Sequence, residues 1–107
     1  WSWSRGLGDV YKRQIKPGKG MSLQKHFKRS EIWFVSEGKC CVNFHKNDHS
    51  KIDEIPLNTF DTFSVKKEEW HQLFNPYKEE CRIIEIQFGE ENSEEDIERI
   101  KYYDGNE

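Results

Sequence analysis

Three polar side chains fall close together in the stretch SLQKHFKRSEIWFVSEG, residues 22–38: the amide of Gln24, the imidazole of His26 and the carboxylate of Glu31. Gln24 and His26 are two residues apart, so on an extended strand both leave from the same face and form a bidentate arm. Arg29 and Ser30 can turn the chain. Glu31, Trp33 and Val35 then share one face of a returning strand, with Ile32 and Phe34 on the other, and the carboxylate arrives opposite the imidazole. Gly38 lies seven residues beyond Glu31 and ends that strand with a residue tolerant of positive φ. An amide oxygen, an imidazole nitrogen and a carboxylate are donors that divalent first-row metals accept.

Such a constellation needs strands to hold it, and from Ile15 onward the chain reads as strands. Pro17-Gly18 marks a turn, residues 21–26 and 30–36 are the two site strands, and in 39–45 Cys41, Asn43 and His45 alternate with Cys40, Val42 and Phe44. Lys46 to His49 is a polar hairpin tip, residues 51–55 are extended, and Pro56-Leu57-Asn58 turns the chain again. Residues 60–65, 70–74 and 81–88 complete the series. Cys81, Ile83, Glu85 and Gln87 share one face of the last strand and Arg82, Ile84, Ile86 and Phe88 the other. Which set looks inward decides whether Glu85 is a lumen carboxylate able to act as a general base or a solvated one. Short strands separated by frequent turns imply an all-β sandwich or barrel, most economically closed as an eight-stranded jelly roll. After Phe88 the composition shifts to an acidic tail, residues 91–107, where Ser93 and Asp96 resemble a capping box and Ile97 and Ile100 an apolar stripe; a short helix is expected there.

Composition narrows the function classes. A chain of 107 residues has room for one domain with a modest core. Charged residues, at 35%, slightly exceed the apolar share of 34%, so much of the chain is solvated, and aromatics at 14% partly compensate because each large ring buries much area. A net charge of -3 argues against a nucleic-acid surface. No apolar run approaches the roughly 20 residues of a membrane helix, and there is no signal-peptide pattern, so the expected location is cytoplasmic with no membrane partner. Three cysteines, Cys40, Cys41 and Cys81, are odd in number and lack metal-type spacing, so they are expected as reduced, buried thiols. His45 and His49 are expected on the exposed hairpin side.

Residues 1–14, WSWSRGLGDVYKRQ, show no sustained alternation, and RGLGDVYKRQ resembles translated adapter sequence. They are expected to be a non-native leader, with the natural chain cut short upstream and the barrel occupying residues 15–90.

The stretch 18–38 resembles the first motif of the cupin superfamily: Gly, five residues, His-x-His, three or four residues, Glu, six residues, Gly. Gln24 stands in the first His place, and a Gln there, within PGKGMSLQKHFKRSEIW, narrows the resemblance to the carboxy-terminal cupin of type II mannose-6-phosphate isomerases. The ending SEEDIERI is also typical of that family. The second cupin motif ends in His, three residues, Asn, which His71 and Asn75 match, although Lys66 and Glu68 replace its usual Pro-x-Gly. The resemblance implies a double-stranded β-helix whose lumen holds one divalent metal on Gln24, His26, Glu31 and His71. This mixed nitrogen and oxygen set fits Zn²⁺, Co²⁺, Mn²⁺ or Fe²⁺, with Zn²⁺ the expected ion. It further implies that Arg29 binds a substrate phosphate or takes part in catalysis, because a guanidinium fork suits a phosphate; Lys25 and Lys28 are alternates for the same anion.

The implied reaction is the interconversion of mannose 6-phosphate and fructose 6-phosphate, a proton transfer between adjacent carbons through an enediol that needs a base, for which Glu85 is the candidate if its face of the strand looks inward. The implied partner is a small phosphorylated sugar, and a homodimer through exposed strand edges is compatible with the resemblance. Two other readings share the ligands: a non-catalytic sugar- or metal-binding cupin, and a non-haem iron dioxygenase using His26, Glu31 and His71, which Gln24 counts against.

Overall fold

A computed structural model describes residues 9–45, 52–89 and 97–101. All regular structure among these residues is strand: β1 (Asp9–Ile15), β2 (Leu23–Lys25), β3 (Arg29–Glu37), β4 (Cys40–His45), β5 (Asp53–Leu57), β6 (Thr62–Val65), β7 (Trp70–Phe74), β8 (Cys81–Gly89) and β9 (Glu98–Lys101). One sheet has the order β1-β8-β3-β6 and the other β5-β4-β7-β2-β9, with every pairing antiparallel. Among the described residues no helix is long and apolar enough to cross a membrane.

The period-two pattern sets the inner faces. In β3, Arg29, Glu31, Trp33 and Val35 are buried while Ser30, Ile32 and Phe34 are only half-buried. In β8, Cys81, Ile83, Glu85 and Gln87 face inward, and the register Glu31↔Gln87, Trp33↔Glu85 and Val35↔Ile83 stacks the two inner faces. Strand β7 is buried along its whole length because both of its faces are covered. His71 and Leu73 join the interior, while Gln72 on the other face accepts a hydrogen bond from Asn43 and donates one to the Met21 carbonyl. The apolar half of the interior is filled by Ile15, Trp33, Val35, Val65 and Ile83 from one sheet and Val42, Leu57 and Leu73 from the other. The polar half lies toward the ends of β2, β3 and β8 that carry Gln24, Glu31 and Gln87.

Several expectations are corrected. The tail was expected to be helical, yet Glu98–Lys101 is a strand pairing with β2, because hydrogen bonding to an open sheet edge outweighs a weak local helix preference. The capping pair Ser93 and Asp96, the hairpin tip at Lys46 and His49 itself lie outside the described residues. Residues 9–14, set aside as leader, form β1 with Ile15 and pair with β8 from Asp9↔Gln87 to Ile15↔Cys81, so this part of the segment belongs to the sheet. Strand β5 runs through Pro56, which an edge strand tolerates, and the turn follows at Asn58. His45 is half-buried rather than exposed. Cys40 and Cys81 form a disulfide that joins β4 to β8, and hence one sheet to the other; Cys41 remains a free buried thiol.

Candidate metal centre

Strands β2, β3 and β7 deliver the four expected ligands to one cavity of about 410 Å³. Gln24 on β2 pairs directly with His71 on β7, so their side chains leave the same face of one sheet. Glu31 comes from β3 on the other sheet, and His26 follows β2 by one residue. The ligand atoms of His26, Glu31 and His71 all lie within 4.8 Å of one another. All three are almost fully buried, and Gln24 is 9% exposed.

The turn that presents His71 departs from the usual Pro-x-Gly, and the structure shows how it closes. Glu68 adopts a φ of +62, the left-handed conformation a glycine would occupy at no steric cost. Its N–H donates to the His26 carbonyl at 2.7 Å, while the Lys66 N–H donates to the Glu69 carboxylate at 2.7 Å. Asn75, the last residue of the motif, works in the scaffold. Its side-chain amide donates to the carbonyls of Ile15 and Glu79, and its oxygen accepts from the Tyr77 N–H, locking the end of β7 to β1 and to the following loop.

The electronic state of the imidazoles suits a cation. Nδ1 of His71 lies 3.0 Å from the Glu69 carbonyl, a contact in which the nitrogen carries the proton, leaving Nε2 as a lone pair. That Nε2 is buried and has no hydrogen-bond partner. Burial lowers the pKa of His71 to about 4, so the ring is neutral at pH 7, the form that binds metals. An orphaned, deprotonated nitrogen beside a carboxylate and a second imidazole is the arrangement a divalent ion completes, so the residues present fit a bound metal. Nε2 of His26 lies 3.1 Å from a Glu31 oxygen and 3.1 Å from Nη2 of Arg29. Gln24 donates its amide N–H to the Ser22 carbonyl at 3.3 Å, which leaves its oxygen as the atom it can offer a cation.

A second carboxylate, Glu85, lies beside the first. The Trp33 indole N–H bridges the pair, 3.0 Å from Glu31 and 3.1 Å from Glu85. Glu85 also accepts from Gln87 at 2.9 Å and from Arg13 at 2.9 Å. The two acids are driven apart. Burial pushes Glu31 up, but the His26 hydrogen bond and the nearby imidazoles outweigh it and hold the carboxyl well below the usual range. Burial and the neighbouring Glu31 raise Glu85.

Arg29 is 4% exposed and its Nε donates to Glu31 at 3.2 Å, so the guanidinium contacts two of the expected ligands inside the cavity. Lys25 does not line the cavity; its ammonium sits over the rings of Phe27 and Trp70, 5.1 Å and 4.8 Å from their centroids. Lys28 is exposed outside it. Three charged or amide side chains of the cavity escaped the sequence reading as site groups: Gln87, whose alternation with Glu85 was the available signal, Arg13, in the segment set aside, and Arg99, hidden by the expected helix.

Comparison with known proteins agrees with this geometry. Residues 7–102 match the family model described as mannose-6-phosphate isomerase C-terminal. The chain is 33% identical over 100 residues to the alginate biosynthesis protein AlgA of Pseudomonas syringae pv. tomato, covering 90% of this chain and 19% of that protein. It is 34% identical over 93 residues to a mannose-1-phosphate guanylyltransferase of Sinorhizobium fredii, covering 80% and 16%. It thus spans less than a fifth of the length of these relatives. Among solved structures, the capsular polysaccharide assembling protein CapF of Staphylococcus aureus superposes with a TM-score of 0.78 at 17% identity, over 89% of this chain and 29% of that one, which is a likeness of fold. With the family model matched along almost the whole described chain and the ligands gathered inside a two-sheet barrel, this protein belongs to the mannose-6-phosphate isomerase C-terminal family of cupins.

Proposed function

We propose that this chain is a metal-dependent sugar-phosphate isomerase domain that interconverts mannose 6-phosphate and fructose 6-phosphate. The observation that carries the reading is the pairing, in one cavity, of a metal-type ligand set with a second carboxylate of raised proton affinity. Aldose-ketose exchange needs a group that takes a proton from one carbon and returns it to the neighbouring one, and a buried acid with an elevated pKa suits both halves. Glu85 has that character, and its two oxygens are held in place by Trp33, Gln87 and Arg13. A divalent ion on Gln24, His26, Glu31 and His71 would supply Lewis-acid stabilisation of the sugar oxygens as charge develops on them. Arg29 contacts Nε2 of His26 and Oε2 of Glu31 and so helps to set the positions of both side chains. The relatives' names concern alginate biosynthesis and guanylyl transfer to mannose 1-phosphate, which agrees with a domain that handles mannose phosphates.

The test is metal analysis of protein purified without added metal, followed by an isomerase assay with Zn²⁺, Co²⁺, Mn²⁺ or Fe²⁺ supplied. The expected result is about one equivalent of metal, lost in His71→Ala, and turnover that falls at least a hundredfold in Glu85→Gln, the usual scale of a removed general base. Metal and phosphosugar binding without turnover would replace the isomerase by a binding cupin.

A further inference from the structure

We infer that Arg99, on the final strand β9, takes the phosphate of the substrate at the mouth of the cavity; this rests on the sugar-phosphate reading above. Arg99 lines the same cavity as the four metal-type ligands. Its backbone pairs with Gln24, which in turn pairs with His71, so Arg99, Gln24 and His71 form one row across β9, β2 and β7. At the usual strand spacing of about 4.8 Å the row places the Arg99 backbone roughly 10 Å from that of His71, with both side chains leaving the same face. That separation matches an open-chain sugar whose reacting carbons lie at the ligands and whose phosphate lies at the far end.

The layout of the cavity favours the same assignment. The inner cavity is taken up by the four metal-type ligands and Glu85, where the reacting carbons would lie, so the phosphate at the other end of the sugar belongs at the entrance. Of the three arginines that line the cavity, Arg29 is buried against Glu31 and His26, and Arg13 is 2.9 Å from Glu85. Arg99 is exposed and has no ion-pair or hydrogen-bond partner among the described residues. A guanidinium there offers two parallel N–H groups to a phosphate. Lys25 and Lys28, the lysines first considered for this anion, lie outside the cavity.

The experiment uses the full chain with metal supplied and measures binding of mannose 6-phosphate, mannose and inorganic phosphate by calorimetry for the unaltered protein and for Arg99→Ala, Arg99→Gln and Arg99→Lys. Arg99→Ala and Arg99→Gln should weaken mannose 6-phosphate and inorganic phosphate at least tenfold, with Arg99→Lys intermediate, while mannose affinity and metal content stay unchanged. With turnover, KM rises and kcat holds. Equal phosphosugar affinity in both neutral variants overturns the assignment, as does an unaltered chain that binds mannose 6-phosphate no more tightly than mannose. Equal weakening of mannose, or metal loss in both neutral variants, makes Arg99 a strand residue and overturns it too. If phosphosugar binding depends on Arg99 but no variant or parent isomerises it, the isomerase reading fails and the phosphate site stands. If the parent isomerises and Arg99→Ala does so with unchanged KM, the reverse holds.

Discussion

Glu68 is the residue at which this chain departs most visibly from its family's turn, and the departure has an energetic consequence. A non-glycine residue in the left-handed region costs about 1–2 kcal/mol, and glycine gives back roughly 0.5–1 kcal/mol through its freedom in the unfolded chain. Glu68→Gly should therefore stabilise the fold by about 0.5–1 kcal/mol, read as a higher urea midpoint with an unchanged slope. The N–H that holds the His26 carbonyl survives the change, so metal content should not move. An unchanged midpoint would show that the turn carries no strain. At this scale the sequence was legible wherever a two-residue repeat decided the outcome: Gln24 with His26, and Glu31 with Trp33, could be placed on their faces from spacing alone. It left Glu85 open, because only the strand opposite decides which face of β8 looks inward, and it named Arg29 for a phosphate or for catalysis without showing that the guanidinium is buried against Glu31 and His26.

The elements that escaped the sequence reading are edge strands. Four of the seven residues of β1 are charged or amidic and all but Asp9 and Ile15 are exposed, so no apolar alternation marks it. Strand β9 is similar, ERIK, within an acidic tail. Such strands are specified by the vacant edge they join rather than by their own side chains. The inner strands β3, β7 and β8, which bury alternating or continuous faces, were legible to within one residue. Deleting residues 1–14 should accordingly cost stability. It removes all but the last of the residues that pair with β8 and takes Arg13 from Glu85, although no metal-type ligand is touched. The expected outcome is a lower urea midpoint and a larger apparent size in gel filtration from edge-to-edge association, with metal content per folded chain preserved. A truncated chain with the parent midpoint would mean that β1 pairs without contributing to the fold.

For the molecule as a whole the unexpected feature is the Cys40–Cys81 disulfide. It closes a sequence separation of 41 residues, for which the stabilisation is typically about 2–4 kcal/mol. Thiol titration of the denatured, unreduced protein should find one reactive group, Cys41, and three after reduction. Three groups without reduction would restore the reading of free thiols, which is the normal state in a reducing cytosol. The sequence could not reveal the pairing, because an odd count of cysteines with two of them adjacent does not specify partners and only the closed barrel brings β4 and β8 together.

The division of the ligands between the sheets has a mechanical side. Glu31 stands on one sheet and Gln24 and His71 on the other, while the disulfide crosses the same gap some distance along β8 from Glu85 and Gln87. The barrel is therefore a pair of leaves stitched covalently at the apolar end, and an ion at the polar end would be a removable clasp. Without the clasp the stitch still ties the leaves together at the apolar end, so removing the ion should loosen the polar end before the core, read as earlier loss of amide protection near Gln24 and Glu31 than near Val35.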